Sequence, residues 1–188
     1  MPDSDGPSGS AGRLLTQYSP RGAVEAADVA LVSELLRSGE NPWSQSMLLH
    51  LTASAVVVHP PTKRLLLRWH PHVKAWLQIG GHGDPGESDP LEIALREGLE
   101  ETGLRDLVPW PDAALVHAVI VPVEGRPGKP AHRHADLRFV LATEQPDTAQ
   151  PENADAPLRW LDVAAATAAT GEANLRETIR RVARLLTH

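Results

Sequence analysis

The sequence predicts an α/β fold with a mixed central sheet and helices on both faces. Short apolar runs rich in β-branched residues recur along the chain, and three helical segments interrupt them. Their order follows no strict strand–helix–strand rhythm, which argues against a purely parallel sheet. With 188 residues, the chain is the size of one domain with appendages, long enough to bury a core of its own.

Ten of the first twelve residues, Met1 to Gly12, are Gly, Pro, Ser or Asp, so residues 1–12 are expected to be a disordered tail. Residues 13–44 form a helical extension. Within it, Val24, Ala27, Leu31 and Leu35 recur at helical spacing from Ala23 to Ser38, and Gly39 is a natural stop. The main domain occupies 45–188. Leu51 to Val58 reads as a strand, His59 to Lys63 as a turn and Arg64 to Trp69 as the returning strand of a hairpin. Trp76 to Ile79 is a third short strand, ended by Gly80-Gly81. The next helix has a clear start: Asp89 at the N-cap, Pro90 at the first helical position and Glu92 three residues after the cap. Gly103 ends it. Ala113 to Val123 and His132 to Ala142 follow as strands around a turn-rich loop. A polar, Pro-rich loop from Thr143 to Pro157 leads to a short strand, Leu158 to Leu161. The closing helix, Asn174 to Leu186, carries Leu175, Ile179, Val182 and Leu186 on one side.

Composition narrows the function. Eighteen basic against 24 acidic residues give a net charge of −6, a poor basis for binding duplex nucleic acid. The absence of cysteine removes disulfides, thiolate zinc sites and cysteine nucleophiles together. No apolar run approaches the roughly 18 residues of a membrane helix, and the start of the chain lacks the pattern of a signal peptide. A cytoplasmic protein is expected. Aromatics make up only 4% of the chain, so the core must be aliphatic.

The sharpest chemical signal is Arg96-Glu97-Gly98-Leu99-Glu100-Glu101-Thr102-Gly103-Leu104. At about 100° per residue, Glu97, Glu100 and Glu101 share one arc of the helix. Leu91, Ala94, Leu95, Gly98 and Leu99 fill the opposite arc. Like charges at these spacings destabilise a helix by roughly a few tenths of a kcal/mol per pair, and a hard divalent cation removes that repulsion. Oxygen ligands without cysteine point to magnesium, with manganese as the alternative. A Glu-rich helix in isolation is more often a solvated acidic face. Here the Gly-rich segment Gly80-Gly81-His82-Gly83-Asp84-Pro85-Gly86-Glu87 reverses that reading. It lets backbone approach a phosphate or a metal and returns a fourth carboxylate, Glu87, toward the helix.

Gly81, five residues, Glu87 and then Arg96 to Leu104 resemble the Nudix box, whose pattern is Gly, five residues, Glu, seven residues, Arg-Glu-apolar-any-Glu-Glu-any-Gly-apolar. Two departures are visible. Eight residues, not seven, separate Glu87 from Arg96; the extra one lies near Ser88-Asp89, where it lengthens the loop without rotating the helix. Gly98 replaces an apolar residue and leaves room for a bulky side chain, such as a Trp, from the sheet. The resemblance implies a Nudix-type α/β/α sandwich and a magnesium-dependent pyrophosphohydrolase. The substrate would be a nucleoside diphosphate linked to another moiety, cut by water at a metal-bound diphosphate. It also implies Glu97, Glu100 and Glu101 as metal ligands, joined by the backbone carbonyl of Gly81. Glu87 would complete the catalytic carboxylates, and Arg96 and Gly103 would have structural roles. A homodimer is common in the family, and the Ala23 to Ser38 helix offers a contact surface.

Outside the box, His132, His134, Asp136 and Arg138 alternate along one strand face, with Leu137, Phe139 and Leu141 on the other. The bland reading is a polar outer face. The functional reading is a substrate-binding row that lines the cleft. Two His and one Asp also suit a transition metal. Trp69 and Trp76 could stack a base but more often pack a core; His70 and His72 read as surface residues; His50, His59, His117 and His188 show no pattern. Glu124 and Glu144, on loops, are candidate general bases. The alternative function is a non-catalytic nucleotide-sensing module, which would ordinarily have lost box glutamates. An isomerase on the same fold would need a catalytic cysteine, which this chain lacks.

Overall fold

The computed structural model describes residues 9–187. Eight strands are joined into one sheet: β1 (Leu49–His59), β2 (Arg64–His70), β3 (Ala75–Leu77), β4 (Ile79–Gly81), β5 (Val108–Pro109), β6 (His117–Val123), β7 (His132–Ala142) and β8 (Leu158–Leu161). Among the described residues five α-helices cover it: α1 (Gly9–Gln17), α2 (Ala23–Arg37), α3 (Pro90–Thr102), α4 (Val163–Ala169) and α5 (Ala173–Leu185). Among the described residues, no helix is long and apolar enough to cross a membrane.

The centre of the sheet is the parallel pair β1 and β7, in register from Leu49↔Arg133 to Val58↔Ala142. All the other pairings are antiparallel: β2 and β4 pair with β1, β6 and β5 with β7, and β3 and β8 with β2. The sheet is therefore mixed. Strand alternation sorts its core into two layers. Leu51, Ala53, Ala55 and Val57 of β1 and Leu137, Phe139 and Leu141 of β7 pack with Leu15, Val32, Leu35, Ile93 and Ala94 of α1, α2 and α3. On the other face Val56, Val58, Val140 and Ala142 pack with Ala166, Leu175, Ile179 and Val182 of α4 and α5.

Several elements depart from the sequence reading. Gly9 to Gly12, assigned to a disordered tail, are the first turn of α1, anchored by buried Ala11; residues 1–8 lie outside the described residues. The segment set apart as an N-terminal extension shares one core with α3, since Leu15, Val32, Leu35 and Trp43 are buried in the same layer as Ile93. The buried stripe of α2 is Glu25, Val32 and Leu35: Leu35 is buried as expected, but Glu25 and Val32 replace Val24 and Leu31, and Val24 is 80% exposed. The cause is an ion pair: buried Arg181 of α5 donates to Glu25 at 2.7 and 2.9 Å and turns that helix face inward. Another α2 carboxylate, Asp28, accepts the Ile120 N–H at 3.0 Å, occupying a donor on edge strand β6. The expected strand from Trp76 to Ile79 divides at Gln78, because the chain leaves β2 there and picks up β1. The strand expected from Ala113 begins at His117, since Asp112 accepts the Ala114 N–H and folds the preceding residues into a turn.

Candidate active site

Helix α3 begins as its sequence dictates. The Asp89 carboxylate accepts from the N–H groups of Leu91 and Glu92, and Pro90 fills the first position, where no N–H is needed. The helix ends at Gly103, whose φ of +67° is left-handed backbone that suits glycine. The extra residue after Glu87 lies in the loop ahead of this cap, and the register of the helix is intact. The buried face is Ile93, Ala94, Gly98 and Thr102, whereas Leu99, expected inside, is 45% exposed. Glu97 and Glu101 therefore flank the sheet-facing side, and Glu100 points outward. The room left by Gly98 is taken by Leu107, not by a Trp: a Cβ there would lie 2.7 Å from the Leu107 Cδ1.

Arg96 gathers the box. Its Nε donates to Glu87 Oε1 at 3.0 Å, its Nη2 to Glu87 Oε2 at 3.0 Å, and its Nη1 to Glu97 Oε1 at 3.1 Å and Glu100 Oε2 at 2.9 Å. Nη2 also donates to the backbone carbonyl of His82 at 2.8 Å, pinning the Gly-rich loop to the helix. These hydrogen bonds hold the Glu87 carboxyl below its ordinary range and keep Arg96 firmly charged. Glu101 stands apart, accepting from the Gly80 N–H at 3.2 Å and pairing with Arg68 at 3.1 Å. Burial pushes its carboxyl up to about 7 against the pull of Arg68 and the Gly80 N–H. Burial likewise raises Glu97, against Arg96.

Strand β4 sits between this cluster and the far face of the sheet. On the α3 side, Gly81 lies so close to Glu97 that a Cβ would fall 2.5 Å from Oε1. Only a glycine leaves that carboxylate edge open. Hard carboxylate oxygens crowded against glycine backbone are a donor set that fits magnesium, so the residues present suit the cation implied by the box.

The predicted polar row lies on the opposite sheet face. His132, His134, Asp136 and Arg138 do share a side of β7, but they separate by role. Arg138 is 2% exposed and each of its three nitrogens donates: to Asp136 at 2.7 Å, Thr178 at 2.9 Å and Asn174 at 2.8 Å, beneath α5. Asp136, 5% exposed, accepts from Thr52 at 3.1 Å, Ser54 at 2.9 Å and Gln78 at 3.3 Å as well. Neither is placed to touch a substrate, because α5 and the neighbouring strands already use their polar atoms. His132 and His134 instead meet two residues that the sequence did not single out, His50 and His82. Their ring centroids lie between 4.8 and 5.4 Å apart in five pairings. His50 escaped notice because β1 starts two residues before the apolar run and pairs His50 directly with His134.

The other candidates are peripheral. Trp69 and Trp76 form a cross-strand edge-to-face pair at 5.6 Å, and the Arg159 guanidinium covers the Trp76 ring at 4.5 Å. Buried His117 bonds Thr178 at 2.9 Å. Glu124 is exposed beyond β6, and exposed Glu144 follows the end of β7 remote from His132 and His134.

A NUDIX domain model matches residues 48–182. A probable DHNTP pyrophosphohydrolase of Lactococcus lactis subsp. cremoris (strain MG1363) is 32% identical over 117 residues, 61% of this chain. The match spans 65% of that curated relative's length. Among solved structures, the E. coli dihydroneopterin triphosphate pyrophosphohydrolase aligns with a TM-score of 0.54 at 23% identity, covering 70% of this chain and 92% of that one. A C. elegans Ap4A hydrolase, in a binary complex, aligns with a TM-score of 0.58 at 22% identity, covering 73% and 97%. At that level of identity the structural likeness speaks for the α/β/α fold. The family match spans most of the chain, including the whole of the carboxylate box: the chain belongs to the NUDIX domain family.

Proposed function

We propose that this chain is a magnesium-dependent pyrophosphohydrolase that cuts a phosphoanhydride bond of a small nucleotide-type substrate, a nucleoside diphosphate linked to another moiety. The observation that carries the reading is the convergence of Glu87, Glu97 and Glu100 on one guanidinium, with Glu101 half-buried beside Gly80. Glu97, Glu100, Glu101 and the backbone carbonyl of Gly81 would hold the cation. When bound, it neutralises diphosphate charge and polarises phosphorus toward water. The residues of this chain do the positioning. Arg96 keeps the carboxylates from splaying and ties the loop to the helix through the His82 carbonyl. Arg68 and the Gly80 N–H fix the Glu101 carboxylate in place beside the other ligands.

The test is a panel of nucleoside diphosphate sugars, Ap4A and dihydroneopterin triphosphate, each incubated with magnesium and scored by the bond cut. The last two compounds enter because similar proteins bear their names. Glu101→Gln keeps the side-chain shape and loses the charge, so turnover on the best substrate should fall at least ~100-fold, about 2.7 kcal/mol, with an unchanged circular dichroism spectrum. Wild-type turnover in the variant, or no hydrolysis of any panel member with magnesium or manganese, refutes the proposal.

A further inference from the structure

We infer that His50, His82 and His134 form a second metal site, an all-imidazole site for a zinc-class transition cation, on the opposite face of β4 from the carboxylate cluster. One ring nitrogen from each of the three lies within 4.8 Å of the others. A tetrahedral cation with bonds of about 2.0–2.1 Å needs nitrogens about 3.3 Å apart. The Nε2 atoms of His50 and His82 are already 3.2 Å apart. Drawing in the third ring closes a gap of at most about 1.5 Å, shared between side chains that can turn about their χ angles.

The surrounding bonds are those of ligating histidines. His50 Nδ1 lies 2.9 Å from the Met47 carbonyl, which accepts its proton and leaves an Nε2 lone pair aimed into the cluster. His132 does the same with the Pro130 carbonyl at 2.9 Å, and its Nε2 lies 3.2 Å from His134 Nε2. A backbone carbonyl holding the remote nitrogen is the outer-shell device that orients metal-bound imidazoles. Three different parts of the chain supply the ligands. His50 and His134 face each other across the β1–β7 pair, and His82 follows Gly81, which pairs with Ala53 of β1. The donor set is imidazole without a carboxylate, because Asp136 is spent on Thr52, Ser54, Gln78 and Arg138. Such a set favours zinc, cobalt, nickel or copper over magnesium. Three ligands leave one position for water, for His132 or for a substrate group.

The site differs from the carboxylate site in ligands, preferred cation and sheet face, and it does not depend on the hydrolase reading. The test uses the untagged full chain, loaded with zinc in excess magnesium, passed through a desalting column and assayed for metal content by mass spectrometry. Cobalt loading, followed by visible absorption, reports tetrahedral nitrogen ligation. One equivalent of zinc should stay with the wild type and with Glu101→Gln. His134→Gln and His82→Asn, at half-buried positions, should weaken zinc binding by more than the ~10–100-fold that outer-shell changes cost, while circular dichroism stays native. Should a His variant lose its fold, the cobalt spectrum of the wild type decides alone: an octahedral spectrum refutes the site. Wild type that keeps no zinc refutes it too, as does zinc that is lost from Glu101→Gln yet kept by both His variants.

Discussion

Glu25→Gln perturbs the buried ion pair that joins α2 to α5. Arg181, 4% exposed, donates to both oxygens of Glu25, to the Tyr18 hydroxyl at 2.8 Å and to the Val116 carbonyl at 3.1 Å. Glu25 also accepts from the Tyr18 hydroxyl and the Arg21 N–H. The amide keeps the shape but turns one acceptor into a donor facing other donors, and it removes the charge opposite a buried guanidinium. Removing one partner of such a pair costs about 3–5 kcal/mol. Glu177, 2.7 Å from Arg181 Nε, still faces the cation and sets the expectation at the low end, about 3 kcal/mol. For a chain of this size that is a drop of about 6–12 °C in melting temperature. The pH dependence has a definite sign. Burial raises the Glu25 carboxyl, but its hydrogen bonds to Arg181, Tyr18 and Arg21 outweigh burial and bring it down to about 2 from an ordinary 4.5. Its contribution is therefore complete above 4.5 and is lost as pH falls toward 2. Calorimetric melts of both proteins from pH 7 to pH 2.5 should show the gap closing on the acid side. A variant that melts within about 2 °C of wild type at pH 7, or a gap that widens in acid, refutes the reasoning.

Two further outcomes concern the box. Gly81→Ala places a methyl group against the Glu97 carboxylate, so magnesium-dependent turnover should fall at least ~10-fold, about 1.4 kcal/mol, with melting changed by a few degrees at most; steady-state kinetics and a thermal scan decide it. Magnesium at about 100 times its dissociation constant should stabilise the fold by about 2.7 kcal/mol, read as a rise in melting temperature that a chelator reverses and Glu101→Gln abolishes.

What the sequence could reveal followed the range of the interactions. Helix α3 was legible to the residue, because Asp89, Pro90 and Gly103 act on backbone groups within a turn of themselves. Strand β7 was legible because Leu137, Phe139 and Leu141 alternate with polar residues. Alternation assigns Asp136 and Arg138 to a face but cannot tell what covers it, and Asn174 and Thr178 of α5 do. The stripe of α2 was misread for a related reason: a lone Glu looks solvent-facing until Arg181, 156 residues away, is known to meet it. His50 had no local pattern at all, since its significance lies in the β1–β7 register.

That register also governs when these features can exist. Thr52 and Asp136, in the central strand pair, are 84 positions apart, and closing so long a loop carries an entropic cost met only when the pairing is substantially made. Apart from the neighbouring pairs His132–His134 and Asp136–Arg138, the imidazole cluster and the Asp136 network are thus properties of the completed topology. A ligand gripping His50 and His134 would clamp two strands that the chain itself joins only through a long excursion. It would act on the lifetime of the folded molecule more than on the speed of reaching it.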